Sequence, residues 1–244
     1  MIAAGGGRAV RLRTRKSAVS DRVQQARRRA VALVPPQPPA VAQGEVTAKI
    51  ARYLAENPLT DPTLVVDLDV VEHAYTSLKR ALPLAKIYYA IKANPSPELI
   101  ERLAPLGCYF DTASRGEIDL CLSRGVAPEQ IGYGNTIKKQ ADIAHAFAKG
   151  VRLFAFDSEI ELEKLAESAP GAQVFCRVLV DCAGADWPLS KKFGCTPRLA
   201  VELLTRAREL GLDPAGVSFH VGSQQTDPTR FDSAIATVAE MFGT

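Results

Sequence analysis

From residue 86 onward, short apolar runs alternate with helical stretches six times. KIYYAIK is followed by PELIERLAPL, CYFDTA by GEIDLCLSRG, QIGYGN by KKQADIAHAFAKG, and RLFAFDS by EIELEKLAESA. QVFCRVLVD leads through a long loop to PRLAVELLTRARELG, and GVSFHVGS leads to FDSAIATVAEMF. Strict strand–helix alternation confines a chain to a parallel sheet with helices packed outside it. Several of the runs are apolar at nearly every position, as strands covered on both faces must be.

An open doubly wound sheet and a closed barrel both satisfy that alternation. The dinucleotide fingerprint of the open form is incomplete: GYGNTI, residues 132–137, begins GxG but has Ile137 where the third glycine belongs. Polar residues also stand near the C-terminal ends of four runs: Lys92, Asp111, Asn135 and His220. A barrel builds its site from many strand ends around one mouth. The expected fold is therefore α/β, a (β/α)8 TIM-type barrel of which about six units are present. The chain stops inside a helix at MFGT and reads as cut off.

Ahead of the barrel, VTAKIARYLAEN predicts a helix with Ile50, Tyr53 and Leu54 on one side. TLVVDLDVV predicts a strand, and Asp69 is expected to cap the helix VVEHAYTSLKRAL. A metal-binding reading of the DLD acids rests on that pair alone, and no metal is expected. Three segments follow: a basic extension at 1–42, an N-terminal helix/strand segment at 43–85, and the incomplete barrel at 86–244.

Charge separates the first segment from the rest. Residues 1–40 hold nine Lys or Arg against one acid, Asp21, while the remainder carries 21 bases against 26 acids. Such an arm, ending in VPPQPPA and lacking an apolar period, reads as disordered or as a mis-assigned start. A nucleic-acid arm or a transit peptide is the rival reading, but no aromatic residue interleaves the arginines. No apolar run approaches the roughly 18 residues of a membrane span. AVALV, residues 30–34, is too short for a secretory core and ends at Pro35-Pro36. The five cysteines are scattered without CxxC spacing, which fits reduced thiols in a cytoplasmic protein. No nucleic-acid or membrane partner is expected.

Lys92 closes an otherwise apolar run. Alternation puts Tyr88, Ala90 and Lys92 on one face, so small Ala90 lies beneath the amine and leaves room for something flat. A partly desolvated lysine has a depressed pKa and a neutral amine able to attack a carbonyl, the setting of a Schiff-base lysine. The plainer reading is a surface lysine at a strand end. In SFHVGSQQ, Ser218, His220 and Gly222 share a face. His220 could then stack on a flat cofactor and Gly222-Ser223 could receive a phosphate, or His220 could be a core residue. Arg177 reads as a buried mid-strand cation that needs an anion, with Asp111 and Glu117 as candidates.

YYAIKANP, FDTASRGEI, GNTIKK, FAFDSEIELEKL, SKKFG and GVSFHVGSQ occur in this order. Together they resemble the fold-type III pyridoxal-phosphate decarboxylases with the alanine racemase-like barrel, over about residues 60–244. The likeness is strongest to ornithine decarboxylases, including bacterial lysine/ornithine forms. The resemblance implies pyridoxal 5'-phosphate as cofactor, with Lys92 as the lysine bonded to it and Ala90 as the small residue beside it. It places Asp111 and Glu117 among the site's acids, Arg177 near the cofactor, His220 stacked on the pyridine ring and Ser223 on the phosphate. It implies decarboxylation of L-ornithine to putrescine in polyamine biosynthesis by a cytoplasmic homodimer acting on a small basic amino acid.

Lysine or diaminopimelate decarboxylation is the alternative within the family, although GNTIKK and ASRGEI look ornithine-type. An alanine racemase fits HVGSQ and FAFDSE poorly. A non-catalytic or truncated homologue is the alternative outside the enzymes. The family's glycine-rich phosphate loop, its pyridine-nitrogen Glu, its proton-donating Cys, its substrate-gripping Asp and its C-terminal β-domain all correspond to positions beyond Thr244. The 244 residues alone are therefore expected to be inactive.

Overall fold

The computed structural model describes residues 46–180, 192–223 and 225–242. The expected basic extension at 1–42 lies outside them. The chain separates into two compact units, 1–85 and 86–244.

The described part of the first unit holds helices α1 (Ala48–Glu56) and α2 (Leu68–Ala81). The side expected to be apolar on α1 is not covered: Tyr53 and Leu54 are exposed. TLVVD is not a strand, because no described strand runs beside it to accept its backbone bonds. The cap of α2 is Asp67 rather than Asp69. Asp67 has extended backbone and its carboxylate accepts the Asp69 N–H at 3.0 Å, which places Asp69 in the first turn. Lys49 pairs with both acids, at 3.2 Å and 2.5 Å, so the DLD carboxylates are occupied by an ammonium.

The second unit is one sheet of six strands: β1 (Tyr88–Ala90), β2 (Tyr109–Thr112), β3 (Ile131–Tyr133), β4 (Leu153–Phe156), β5 (Gln173–Arg177) and β6 (Asp213–Ser218). Each strand pairs in parallel with its neighbour in sequence, in the order β1 to β6. A doubly wound sheet reverses direction partway, whereas unbroken sequential order is the barrel pattern. Between the strands run α3 (Pro97–Leu103), α4 (Arg115–Ser123), α5 (Gln140–Ala148), α6 (Glu159–Ser168) and α7 (Pro197–Glu209), and α8 (Arg230–Met241) follows β6. Phe110, Phe154, Phe156, Ile118, Ile143, Leu162 and Leu165 are fully buried, which puts the core where strands meet helices.

Two predicted strands end early, and both endings matter for function. β1 stops at Ala90, and Ile91–Ala93 form a single 3-10 turn that carries Lys92. β6 stops at Ser218, so His220 lies two residues beyond it rather than on its alternating face. Arg177 is the last residue of β5 and half-buried, not a buried mid-strand cation. α5 begins at Gln140, so Lys138 and Lys139 precede the helix into which KKQADIAHAFAKG places them.

Candidate active site

The polar residues singled out by the sequence collect at the C-terminal end of the sheet. Asp111, third residue of β2, sits opposite Ala90 on β1 and Gly132 on β3. Burial raises its carboxyl to about 6. Lys92 and Arg177 pull it down, and the neighbouring Glu117 pushes it up. Four of the named residues thus lie within one another's fields. Gly134, just past β3, makes room for this carboxylate: a Cβ there would collide with Asp111. Sequence reasoning missed that seat. GYGN reads as a strand end, an incomplete dinucleotide loop and the start of the motif GNTIKK, although a glycine near a strand end also signals a close approach.

Glu117 stands in the first turn of α4. Ser114 caps that helix, accepting the Glu117 N–H at 3.3 Å. The Glu117 carboxylate turns back to accept the Ala113 N–H at 2.6 Å. This is a capping box displaced by one residue, and S-x-x-E is its signature.

His220 is half-buried, and its Nδ1 accepts the Gly222 N–H at 2.9 Å. That bond leaves the proton of the neutral ring on Nε2. Burial lowers the imidazole's pKa, and the charges of Arg177 and Lys92 lower it further. The side chain therefore presents a neutral, flat ring. Gly222, at φ +101°, supplies the left-handed backbone that this turn requires. Ser223 follows it, half-buried.

The mutual influence of Lys92 and His220 also tests the shape of the sheet. One follows β1 and the other follows β6, so in a flat sheet they would be about 24 Å apart. Charges that far apart are screened. Their proximity means that the six strands curl toward closure.

Arg177 is framed by residues 192–195. Its guanidinium lies 5.2 Å from the centre of the Phe193 ring. Cys195 returns alongside Val178 as a parallel bridge, donating its N–H to Arg177 O at 3.0 Å and accepting the Leu179 N–H at 2.8 Å. Gly194 donates to Asp157 Oδ2 at 2.8 Å and has φ +98°. A Cβ there would meet the backbone of Val178 and Leu179 at 3.1 Å, so the glycine of SKKFG is set by close packing. Phe193 and Asp157 were not foreseen as supports.

Lys92 is exposed and makes no hydrogen bond or salt bridge among the described residues. The desolvation expected for it is not present; an amine with no bonded partner is. Asn135 belongs to the rim rather than the centre. Its Nδ2 donates to Ala113 O and its Oδ1 accepts the Ile137 N–H, each at 3.2 Å.

A primary amine, a neutral imidazole, a guanidinium and two carboxylates around one mouth, with small Ala90 beside the amine, form a donor set for an aromatic aldehyde bearing a phosphate. The comparisons agree. Residues 68–244 match the family described as "Pyridoxal-dependent decarboxylase, pyridoxal binding domain", and the chain belongs to that family. Ornithine decarboxylase from Rattus norvegicus is 42% identical over 182 residues, 75% of this chain and 40% of that one. The structure of SrLDC, the lysine decarboxylase from Selenomonas ruminantium, with pyridoxal phosphate and cadaverine covers 81% of this chain and 50% of its own. It superposes with a TM-score of 0.73 at 36% identity. The arginine decarboxylase of Paramecium bursaria Chlorella virus bound to agmatine gives 0.76 at 29% identity, covering 81% and 54%. The chain thus spans about half the length of the relatives it matches. No helix among the described residues is long and apolar enough to cross a membrane.

Proposed function

We propose that this chain forms the cofactor-binding half of a pyridoxal-phosphate enzyme that decarboxylates L-ornithine to putrescine, working as a cytoplasmic homodimer in polyamine synthesis. One observation carries the reading: Lys92, Asp111, Arg177 and His220 stand at four strand ends of one sheet, near enough that the two cations act on both the Asp111 carboxyl and the His220 ring. In this reading Lys92 is the catalytic residue. Ala90, Asp111, Arg177, His220 and Ser223 bind the cofactor, and Glu117 sets the field at Asp111.

When bound, pyridoxal phosphate supplies the electron sink for the pair left behind as the α-carboxylate departs as carbon dioxide. The residues of this chain do the rest of what is assigned here. Lys92 Nζ, with no hydrogen bond or salt bridge among the described residues, is available to an aldehyde. His220 offers an uncharged ring face and keeps it uncharged because burial and two cations oppose protonation. Asp111, with its carboxyl near 6, exchanges a proton within about a unit of neutrality. Ser223 and the Gly222 turn serve the phosphate.

Ornithine is favoured because GNTIKK and ASRGEI look ornithine-type and because relatives named as ornithine decarboxylases are 39–42% identical, a range that also holds a lysine/ornithine decarboxylase at 39%. The test is carbon dioxide release by the product of the whole open reading frame, with ornithine, lysine, arginine and diaminopimelate compared at equal concentration. Ornithine should give the highest kcat/KM. A preference of about tenfold or more for another substrate would overturn the assignment, and sedimentation of the same sample would check the dimer.

A further inference from the structure

Lys138 is the most enclosed cation among the described residues. Its side chain is fully buried, and its Nζ donates to Asn135 O at 2.9 Å, Ala155 O at 2.5 Å and Glu161 Oε1 at 2.9 Å. An ammonium has three N–H bonds, so every donor is used. Glu161 is also buried; it accepts the Lys138 N–H at 3.1 Å and pairs through Oε2 with Lys164.

Two of the three acceptors are backbone carbonyls, one in β4 and one just past β3. The line continues from there toward the mouth. Asn135 Nδ2 donates to Ala113 O, just past β2, and the N–H of Ala113 donates to Glu117 Oε2. Glu117 in turn acts on Asp111. A buried ion pair is a weak source of stability, since burying the charges costs about what their attraction returns. Its distinctive capacity is to hold groups in fixed directions.

We propose that Lys138 is a positioning residue: through Asn135 and Ala113 it fixes where the Glu117 carboxylate stands at the mouth. The geometric part is independent of any ligand. The consequence for cofactor binding rests on the pyridoxal-phosphate reading.

The experiment uses two variants. Lys138→Met with Glu161→Gln removes both charges at similar volume, so no unpaired charge stays buried. Asn135→Ala removes the next link, together with the bond from the Ile137 N–H, and leaves the ion pair intact. Hydrogen exchange of the Ala113 amide is followed without cofactor, beside the amide of Phe154 in the core. Pyridoxal phosphate affinity is then measured by titration. Losing one hydrogen bond of about 1–1.5 kcal/mol should speed Ala113 exchange about tenfold in both variants. Phe154 should stay protected and cofactor affinity should fall about five- to tenfold.

Unchanged Ala113 exchange in Asn135→Ala overturns the proposal, even if the double variant fails to fold. Faster exchange with unchanged cofactor affinity overturns its functional half. A wild-type chain that binds no pyridoxal phosphate would instead sink the functional reading of the site, and the exchange data would still decide whether Lys138 positions Glu117.

Discussion

Lys92 lies two residues past β1 and Lys138 five past β3, both on the C-terminal side of the sheet. One is exposed and carries no hydrogen bond or salt bridge among the described residues; the other is fully buried with all three donors engaged. Burial holds the Lys138 amine down to about 8, against the pull of Glu161. A lowered pKa alone would not make Lys138 a nucleophile, because its amine is held by three acceptors in a fully buried site. Access to solvent is what separates the two lysines here.

The largest effect expected from this contrast is on chemistry. Lys92→Ala should lower turnover by at least about a thousandfold, the scale of losing a covalent catalyst. Borohydride should fix pyridoxal phosphate on Lys92 in the wild type. Peptide mapping that found the reduced cofactor on Lys138 would invert the comparison.

The next effect is on stability, with the roles exchanged. Lys138→Ala leaves Glu161 without its buried partner and should cost about 3–5 kcal/mol, roughly 10 °C in melting temperature for a unit of this size. Lys92→Ala should change the melting temperature by no more than a surface substitution does. Equal losses for the two would erase the distinction.

A smaller and pH-dependent effect belongs to Asp111. Its carboxyl is raised from 3.8 to about 6, so the folded chain holds that proton more tightly than the unfolded one. Ionising it therefore removes stability between those values, and the whole penalty is present above about pH 6. Asp111→Asn should stabilise the chain by about 2 kcal/mol near pH 8. The gain should shrink as pH falls toward about 4, while cofactor affinity drops. Urea melts at the two pH values measure it. A gain that did not depend on pH would show that burial of the charge is not its source.

The smallest effect concerns the two thiols flanking Arg177. Cys176 and Cys195 sulfurs are 3.5 Å apart, but Cys195 pairs opposite Val178, which makes the contact diagonal. Both thiols are free, and their separation is well beyond the roughly 2.05 Å of an S–S bond, so a bridge requires the two segments to move. Mild oxidation should leave tryptic peptides 165–177 and 193–198 unlinked in a mass spectrum. A cross-link would show that residues 192–195, which frame Arg177, give way more easily than their bonds imply.

The fold was legible because its signal is repetitive. Six apolar runs, each followed by a helix, admit few topologies, and the parallel sequential sheet follows. The ends of elements were not legible. Lys92 and His220 were placed on strands by alternation, yet a strand lasts only while a neighbour takes its bonds, and β1 and β6 run out of partners two residues earlier. TLVVD has the composition of a strand and lacks a partner strand among the described residues. Asp67 and Asp69 are equivalent caps until backbone angles choose between them. Individual site residues could be named from their motifs, but Lys138, Gly134 and Phe193 act through contacts from other elements. SRGE and SEIE look like the same capping signal; only the fold sends Glu117 to its own turn and Glu161 to Lys138.

Sequential strand order has a consequence for how the mouth comes into being. Every strand pairs with the one made just before it, so the sheet can grow as the chain emerges, each step closing a short loop. The exception is the approach of Lys92, past β1, to His220, past β6, whose imidazole feels the lysine's charge. It spans over a hundred residues of chain and can form only after the intervening strands have curled. Asp111 and Glu117 can take their places early, whereas amine and imidazole come near each other only once β6 is in place. Cofactor capture would then double as a proofreading signal, given only by chains whose sheet has come round on itself.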